Sequence, residues 1–460
     1  MKNYINRSFA LIATVCVALL AMHWLPDLEV KGHALRRVDL LSDIRPRVPE
    51  TPEEELDTLP EMLVVKPMFV DTCREGLTCV EDYSDSTMRG MKAYYEALRR
   101  IESGGTVRVA VFGDSFIEAD IFTADLRALL QQQYGGSGVG YVPVTSHVNG
   151  FRPTVRHSFA GWRQHSVNDT IGFKSASEGI TNTYHLAKGK AFAELKTTGK
   201  YAPCLDSCQR ASFFYLAKDS FELTAVVNGE EQLKQMCVPS TKLREAVVRG
   251  DIRNVKWEVA GSDSSLFYGM TMDNRQGVVV DNFSLRGSSG ISIAGIPARF
   301  LRNFNEIRPY DLIILQFGLN VVTPKGVRYD NYLKGMKHTV EHLKRCFPQA
   351  SILLMSVGDR DYKNDDGEIR TMPGVRNLVR YQQRIAAETG IAFWNLFEAM
   401  GGNESMLALV EATPAMANYD YTHINFKGGA HLAAILYETL EYGKEQYERH
   451  KAYEEEWGEW

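Results

Sequence analysis

Between Thr106 and Phe116 the chain reads TVRVAVFGDSF. The nearly continuous apolar run Val107–Phe112, bounded by turn residues, is the pattern of a strand buried on both faces, as in a helix-covered parallel sheet. A helix is expected next over Ile121–Tyr134, stopped by Gly135 and Gly136. The same rhythm returns later. DLIILQFG (311–318), SILLMSVG (351–358) and IAFWNL (391–396) read as buried strands. Between and after them lie helical patterns over Tyr329–Phe347, Asn377–Gly390 and Asn425–Tyr442, and another precedes the set over Ser86–Glu102. In Tyr329–Phe347 the apolar stripe is Leu333, Met336, Val340, Leu343 and Phe347. Strands alternating with helices predict an α/β chain built on a parallel sheet.

One stretch breaks the rhythm. From 150 to about 283 short runs rich in Thr, Val, Phe, Tyr and Gly predominate, among them FFYLAKDSFELTAVVNGE, NVKWEVAG and SLFYGMTMDN. They predict an inserted all-β domain, after which VVVDNFSL (278–285) returns the chain to the sheet. The division expected is a targeting segment at 1–25, a linker at 26–70, the α/β domain at 71–150 and 284–445, the β insertion at 151–283, and a charged tail at 446–460.

Lys2 and Arg7 precede Ser8–Leu25, which carries no charge. At eighteen residues the segment is expected to be an uncleaved anchor in the cytoplasmic membrane, with a signal cleaved after small residues such as Ala18 or Ala21 as the alternative, and the basic residues before it place the body of the protein outside. The linker, with PRVPETPEEEL, is proline-bearing, acidic and without an apolar face. Outside the cytoplasm cysteines can oxidise, and Cys73–Cys79 (CREGLTC) and Cys204–Cys208 (CLDSC) suggest local pairs. A net charge near −5 offers no basic field for a phosphate backbone, so nucleic acid is excluded as a partner.

Four short stretches carry chemistry. In Gly113-Asp114-Ser115 a serine follows a buried strand and precedes a helix, at the sheet edge where α/β proteins hold ligands. A serine hydroxyl needs a base to become a nucleophile. Asp420-Tyr421-Thr422-His423 offers one: the carboxylate can fix the imidazole tautomer, leaving the other ring nitrogen to take the serine proton. Gly318-Leu319-Asn320 follows another buried strand and can aim an amide at a developing oxyanion. Gly287-Ser288-Ser289-Gly290 can add a backbone N–H to the same oxygen. This chemistry requires no metal or other cofactor.

The order GDS, glycine, G-x-N, D-x-x-H resembles the SGNH/GDSL hydrolases. The resemblance implies a three-layer α/β/α, flavodoxin-like sheet, with Ser115 as nucleophile and one oxyanion donor, Gly290 and Asn320 as the others, His423 as base and Asp420 as its orienter. Gly287 is the rival to Gly290, and Val321 stands where the third block usually has aspartate. GDSFIEADIFTADLRALLQQQYGGSGVGYVPV is similar to the segment after the nucleophile in bacterial peptidoglycan O-acetylesterases, which also carry a β-rich, carbohydrate-module-like insertion. That similarity implies an acetylated envelope glycan as substrate. It leaves open acyl transfer, with a membrane O-acyltransferase as partner, or a non-catalytic glycan-binding scaffold.

Trp162 and Arg163 are the expected glycan-binding residues of the insertion, beside Phe151, Arg152, Gln164 and His165 at its start and Tyr268 and Asn274 near its end. Aromatic faces stack on sugar rings, although large aromatics also fill cores. Two motifs point elsewhere. His338-Thr339-Val340-Glu341-His342 matches the zinc pattern H-x-x-E-H, but shares its face with Lys334 and Arg345 and reads as a solvated helix surface. Gly136-Ser137-Gly138-Val139-Gly140 follows a helix rather than a strand and reads as a turn, not a phosphate loop.

Overall fold

A computed structural model describes residues 4–21, 29–30, 33–34, 73–84, 89–169 and 171–457. The chain divides into two units, residues 1–63 and 64–460. In the first, the helix Tyr4–Ala21 covers most of the apolar segment, whose residues 22–25 lie outside the described set. Among the described residues no helix is long and apolar enough to cross a membrane. Most of the 26–70 linker also lies outside them, apart from Glu29–Val30 paired antiparallel with His33–Ala34.

The second unit is built on two sheets. One has six strands in the spatial order Gly277–Ser284, Thr106–Gly113, Leu312–Gln316, Ser351–Met355, Ala392–Trp394 and Glu81–Asp82. The first five run parallel and the short edge strand runs antiparallel. Leu312–Gln316 and Ser351–Met355 are buried at every position, as the unbroken apolar runs require. Helices Thr123–Tyr134, Ala298–Ile307, Asp330–Cys346, Gly374–Thr389 and Phe426–Trp457 accompany it. The last extends far beyond Tyr442, so the charged stretch from 446 to 457 continues a helix.

In chain order the parallel strands lie 2-1-3-4-5. The chain therefore reverses direction between the first strand, Thr106–Gly113, and the third, Leu312–Gln316, which pair side by side with Gly113 opposite Gln316. At such a switch point the loops leaving the carboxyl ends diverge and open a crevice for ligand. Ser115 and Asn320 leave the sheet at that point.

The other sheet is antiparallel and nine-stranded. It includes Gly140–Pro143, before the expected start of the insertion, while Gly277–Ser284 belongs to the parallel sheet. Its core holds Trp257 stacked on Phe213 at 5.5 Å, with Phe267, Phe221 and Met270.

Two expectations are corrected. Cys73 and Cys79 form a disulfide, but Cys204 and Cys208 are free thiols. Cys208 opens strand Cys208–Leu216 with its thiol buried and donating to the Arg210 carbonyl, while Cys204 sits in the separate turn Pro203–Leu205. The second is the histidine pair of Asp330–Cys346. His338 is exposed, but His342 is buried, its Nε2 2.8 Å from the Ile296 carbonyl, because this face packs on the turn Ile291–Gly295. Among the described residues no cluster of three or more His, Cys, Asp or Glu could hold a metal ion.

Candidate active site

Strand Thr106–Gly113 ends in a sharp turn that leaves Ser115 half-buried while its neighbours Asp114 and Phe116 are fully covered. Asp114 organises the turn: its carboxylate accepts from Phe116 N–H at 2.9 Å and from Asn320 Nδ2 at 3.0 Å. Burial pushes the Asp114 carboxyl up to about 6 against these stabilising bonds. Among the described residues the Ser115 N–H has no acceptor, which leaves it available as a donor.

The turn before helix Phe426–Trp457 brings in the base. Ser115 Oγ lies 3.2 Å from His423 Nε2, and His423 Nδ1 lies 2.7 Å from Asp420 Oδ2. The other Asp420 oxygen accepts the backbone N–H groups of Thr422 and His423, each at 3.0 Å. Partial burial works to raise the Asp420 carboxyl, but those bonds outweigh it and hold the group below the usual carboxylate range. Tyr421 takes a left-handed φ of 51°, and its carbonyl accepts from Asp361 N–H at 3.0 Å. Asn425 then caps the helix, its side chain accepting from Lys427 and Gly428 N–H. The helix comes in close because two glycines open it. A Cβ on Gly428 would sit 2.1 Å from the Met416 carbonyl oxygen, and one on Gly429 would meet Ile121, just past the nucleophile turn.

The glycine block departs from expectation. Gly290 is buried behind Phe317 and Met336, and its N–H donates to Ser288 Oγ at 3.1 Å. That bond takes Gly290 away from an oxyanion. Gly287 is exposed, has open space above it and, among the described residues, has no acceptor for its N–H. The Asn320 amide is held by two acceptors, Asp114 Oδ2 and the Ser288 carbonyl at 3.1 Å. It therefore ties the nucleophile block to the glycine block.

A cleft of about 340 Å³ opens beside this edge, between the nucleophile turn and the antiparallel sheet. Its lining mixes polar side chains, including Glu118, Thr145, Arg152, Gln164, Asn168 and Arg286, with apolar surface from Ala119, Pro143, Val148 and Leu285. Glu118 and Arg286, which flank the serine and Gly287, pair through Arg286 Nε at 2.9 Å. From the insertion, Asn168 Nδ2 donates to the Arg286 carbonyl at 3.3 Å.

The expected glycan residues scatter. Trp162 packs against the insertion core, 5.1 Å from the Phe267 ring, with its indole N–H on the Phe192 carbonyl at 2.7 Å. Arg163 is exposed and points to the opposite face, since neighbouring residues on a strand alternate. The two therefore do not form one surface. His165 shares the Arg163 face and stacks on Tyr184. Tyr268 is buried against Phe300, and Asn274 accepts from Ser137 and Gln209 to fix turns. Gln164 lines the cleft, and Phe151, 60% exposed, lies 5.3 Å from the Phe426 ring at the helix start after His423. Glu118, Asp120, Arg286 and Gly429 escaped the sequence reading. GDS-x-x-E-x-D spacing alone flags the first two; Arg286 and Asn282, which tie them to the glycine block and to the parallel sheet, lie far along the chain.

No family model and no curated protein sequence matches the chain. Among solved structures, a peptidoglycan O-acetylesterase superposes with a TM-score of 0.65 at 20% identity, covering 80% of this chain and 99% of that one. Also matched are a family two carbohydrate esterase from Cellvibrio japonicus (TM-score 0.26, 12% identity, 67% and 99% covered) and a salicylyl-acyltransferase of a tetracycline biosynthetic pathway (0.27, 12%, 60% and 95%). The chain has the α/β fold of the SGNH hydrolases with an inserted all-β domain.

Proposed function

We propose that this protein is a serine esterase that removes O-acetyl groups from a cell-envelope glycan through an acyl-enzyme on Ser115. The observation that carries this reading is the unbroken relay of Ser115, His423 and Asp420, with contacts of 3.2 and 2.7 Å. In this reading His423 Nε2 takes the hydroxyl proton as Ser115 Oγ attacks the acetyl carbonyl carbon. The oxyanion forms within reach of the free Ser115 and Gly287 N–H groups, with Asn320 as the side-chain donor once one N–H is shared from Asp114 or Ser288. His423 returns the proton to the departing sugar oxygen. It then deprotonates a water that attacks the acetyl-serine, and returns that proton to Ser115 Oγ as acetate is released.

The glycan assignment is supported by the fold shared with a peptidoglycan O-acetylesterase and by the cleft beside the nucleophile turn, whose side-chain donors and acceptors suit sugar hydroxyls. We also assign the protein to the envelope, with residues 8–25 as its anchor; full-length chain free in the cytoplasm on fractionation would refute that.

The test is acetate release from O-acetylated peptidoglycan by the wild type and by Ser115→Ala, with fluorophosphonate labelling of Ser115 in parallel. Labelling together with Ser115-dependent acetate release supports the esterase. Labelling with acetyl groups moved to an added sugar acceptor replaces it with a transferase. Absence of labelling would mark a non-catalytic scaffold.

A further inference from the structure

The insertion does more than line a cleft: one of its arginines reaches into the turn that carries the nucleophile. Asp120, five positions after Ser115, is fully buried. Its Oδ1 accepts from Thr123 Oγ1 at 2.7 Å and Asn282 Nδ2 at 3.1 Å. Its Oδ2 accepts from Arg127 Nη1 at 3.1 Å, Arg152 Nε at 2.9 Å and Thr154 Oγ1 at 2.5 Å. Arg152 Nη2 lies 2.7 Å from the same oxygen, outside the hydrogen-bonding direction. Arg152 and Thr154 belong to the segment between two strands of the antiparallel sheet, Gly140–Pro143 and Val155–Ser166. Thr123 and Arg127 belong to the helix after the turn, and Asn282 to strand Gly277–Ser284 of the parallel sheet.

The network also grips the turn itself. Asn282 Nδ2 donates to the Ile117 carbonyl at 2.7 Å, two residues after the nucleophile. Ala119 and Asp120 both sit in the left-handed region, at φ 54° and 64°. Non-glycine residues hold that conformation only where their surroundings force it. Here the force is the carboxylate anchored on three sides: by its own helix, by the parallel sheet and by the insertion.

We propose that Asp120 is a positioning residue for Ser115, and that Arg152 is its partner from the insertion, so that the β domain is part of the catalytic machinery as well as a wall of the substrate cleft. The inference rests on Ser115 being the nucleophile. Buried, the carboxylate must be compensated to stay charged. Burial would raise it, but the two guanidinium groups more than reverse this and hold it ionised. Without Arg152 one of its cations is lost, the left-handed turn relaxes, and the Ser115 hydroxyl drifts from His423. Misplacement of reacting groups by about 1 Å can cost on the order of a hundredfold in rate.

The experiment compares wild type, Arg152→Lys, Arg152→Ala and Ser115→Ala on a small soluble acetyl ester that is too short to touch the insertion. Fluorophosphonate labelling of Ser115 is timed in the same preparations, and folded fraction is read by circular dichroism. Positioning predicts that Arg152→Ala lowers kcat and the labelling rate together by about tenfold to a hundredfold at unchanged KM, normalised to folded protein. Arg152→Lys, which keeps the charge, should recover part of both. Should Arg152→Ala not fold, Arg152→Lys and Thr154→Val carry the same comparison. Wild-type labelling and kcat in the folded variants would overturn the inference while leaving the esterase reading intact. Loss confined to KM would overturn it equally. Turnover surviving in Ser115→Ala would instead remove the reading on which it rests.

Discussion

A Cβ placed on Gly429 would lie 1.7 Å from the carbonyl oxygen of Ile121. The helix that follows His423 and the turn that follows Ser115 therefore touch backbone to backbone, and this contact helps set the distance between base and nucleophile. Gly429→Ala should force them apart. Overpacking of this kind costs about 1–3 kcal/mol of stability. Turnover of a small acetyl ester by the folded variant should fall by at least about tenfold. Unchanged turnover would mean that the spacing is set elsewhere.

The oxyanion donors are expected to be unequal. Asn320→Ala should lower kcat by about a hundredfold to a thousandfold, the usual loss for one oxyanion donor. Gly290→Ala should instead fail through packing, because its Cβ would meet the Phe317 ring at 2.6 Å, at a positive φ of 84°. Its effect should appear in thermal unfolding. A Gly290→Ala protein of normal stability and lost activity would restore Gly290 as a donor.

Asp114 makes stability depend on pH. Its folded-state pKa of about 6 stands above the ordinary aspartate value of 3.8, so between these values the folded chain holds more proton than the unfolded one. Its contribution is favourable at low pH and is lost as pH rises through about 6, amounting to roughly 3 kcal/mol at most. Asp114→Asn abolishes the titration. Urea unfolding should therefore show the variant gaining on wild type between pH 4 and pH 7.5, whatever the absolute offset from its altered bonds to Phe116 and Asn320. The same stability difference at both pH values would contradict the assignment.

Gln164 and Trp162 should separate recognition from packing. Gln164→Ala removes a polar group from the cleft, so kcat/KM on polymeric acetylated glycan should fall by about tenfold, with the small ester within twofold, the scale of one lost hydrogen bond. Trp162→Ala should destabilise the insertion by about 3 kcal/mol, as large aromatic truncations in cores do. Equal losses on both substrates for Gln164→Ala would place that residue in the catalytic support.

What was readable in the sequence follows from how local each signal is. Val107–Phe112 and 311–318 announce buried parallel strands because both faces must be apolar, and the D-x-x-H spacing places Asp420 beside His423 within a single turn. The choice between Gly287 and Gly290 depends on where each N–H points, which the shared glycine identity cannot encode. Trp162 and Arg163 do not share one surface because adjacent strand residues face opposite ways. The Gly161 bulge, between Ala160 and Trp162, further resets the alternation. Cys204 and Cys208 are near in sequence, yet a strand start and a turn hold them separately. Asp120 gives no signal of its own because the partners that tie it to the insertion and to the parallel sheet, Arg152 and Asn282, stand 32 and 162 positions away.

That separation bears on how the chain reaches this state. Strand Gly277–Ser284 must pair with Thr106–Gly113 across the whole insertion, and closing so long a loop in a disordered chain is entropically unfavourable and slow. The antiparallel sheet shortens the path: its first strand pairs with Leu266–Asp273, Gly140 opposite Met272, so a folded insertion hands the two halves of the parallel sheet to each other as neighbours. The β domain would then act as the splice that lets the α/β core close. Lesions deep in the insertion, far from Ser115, should surface first as slow refolding of the core rather than as weak binding.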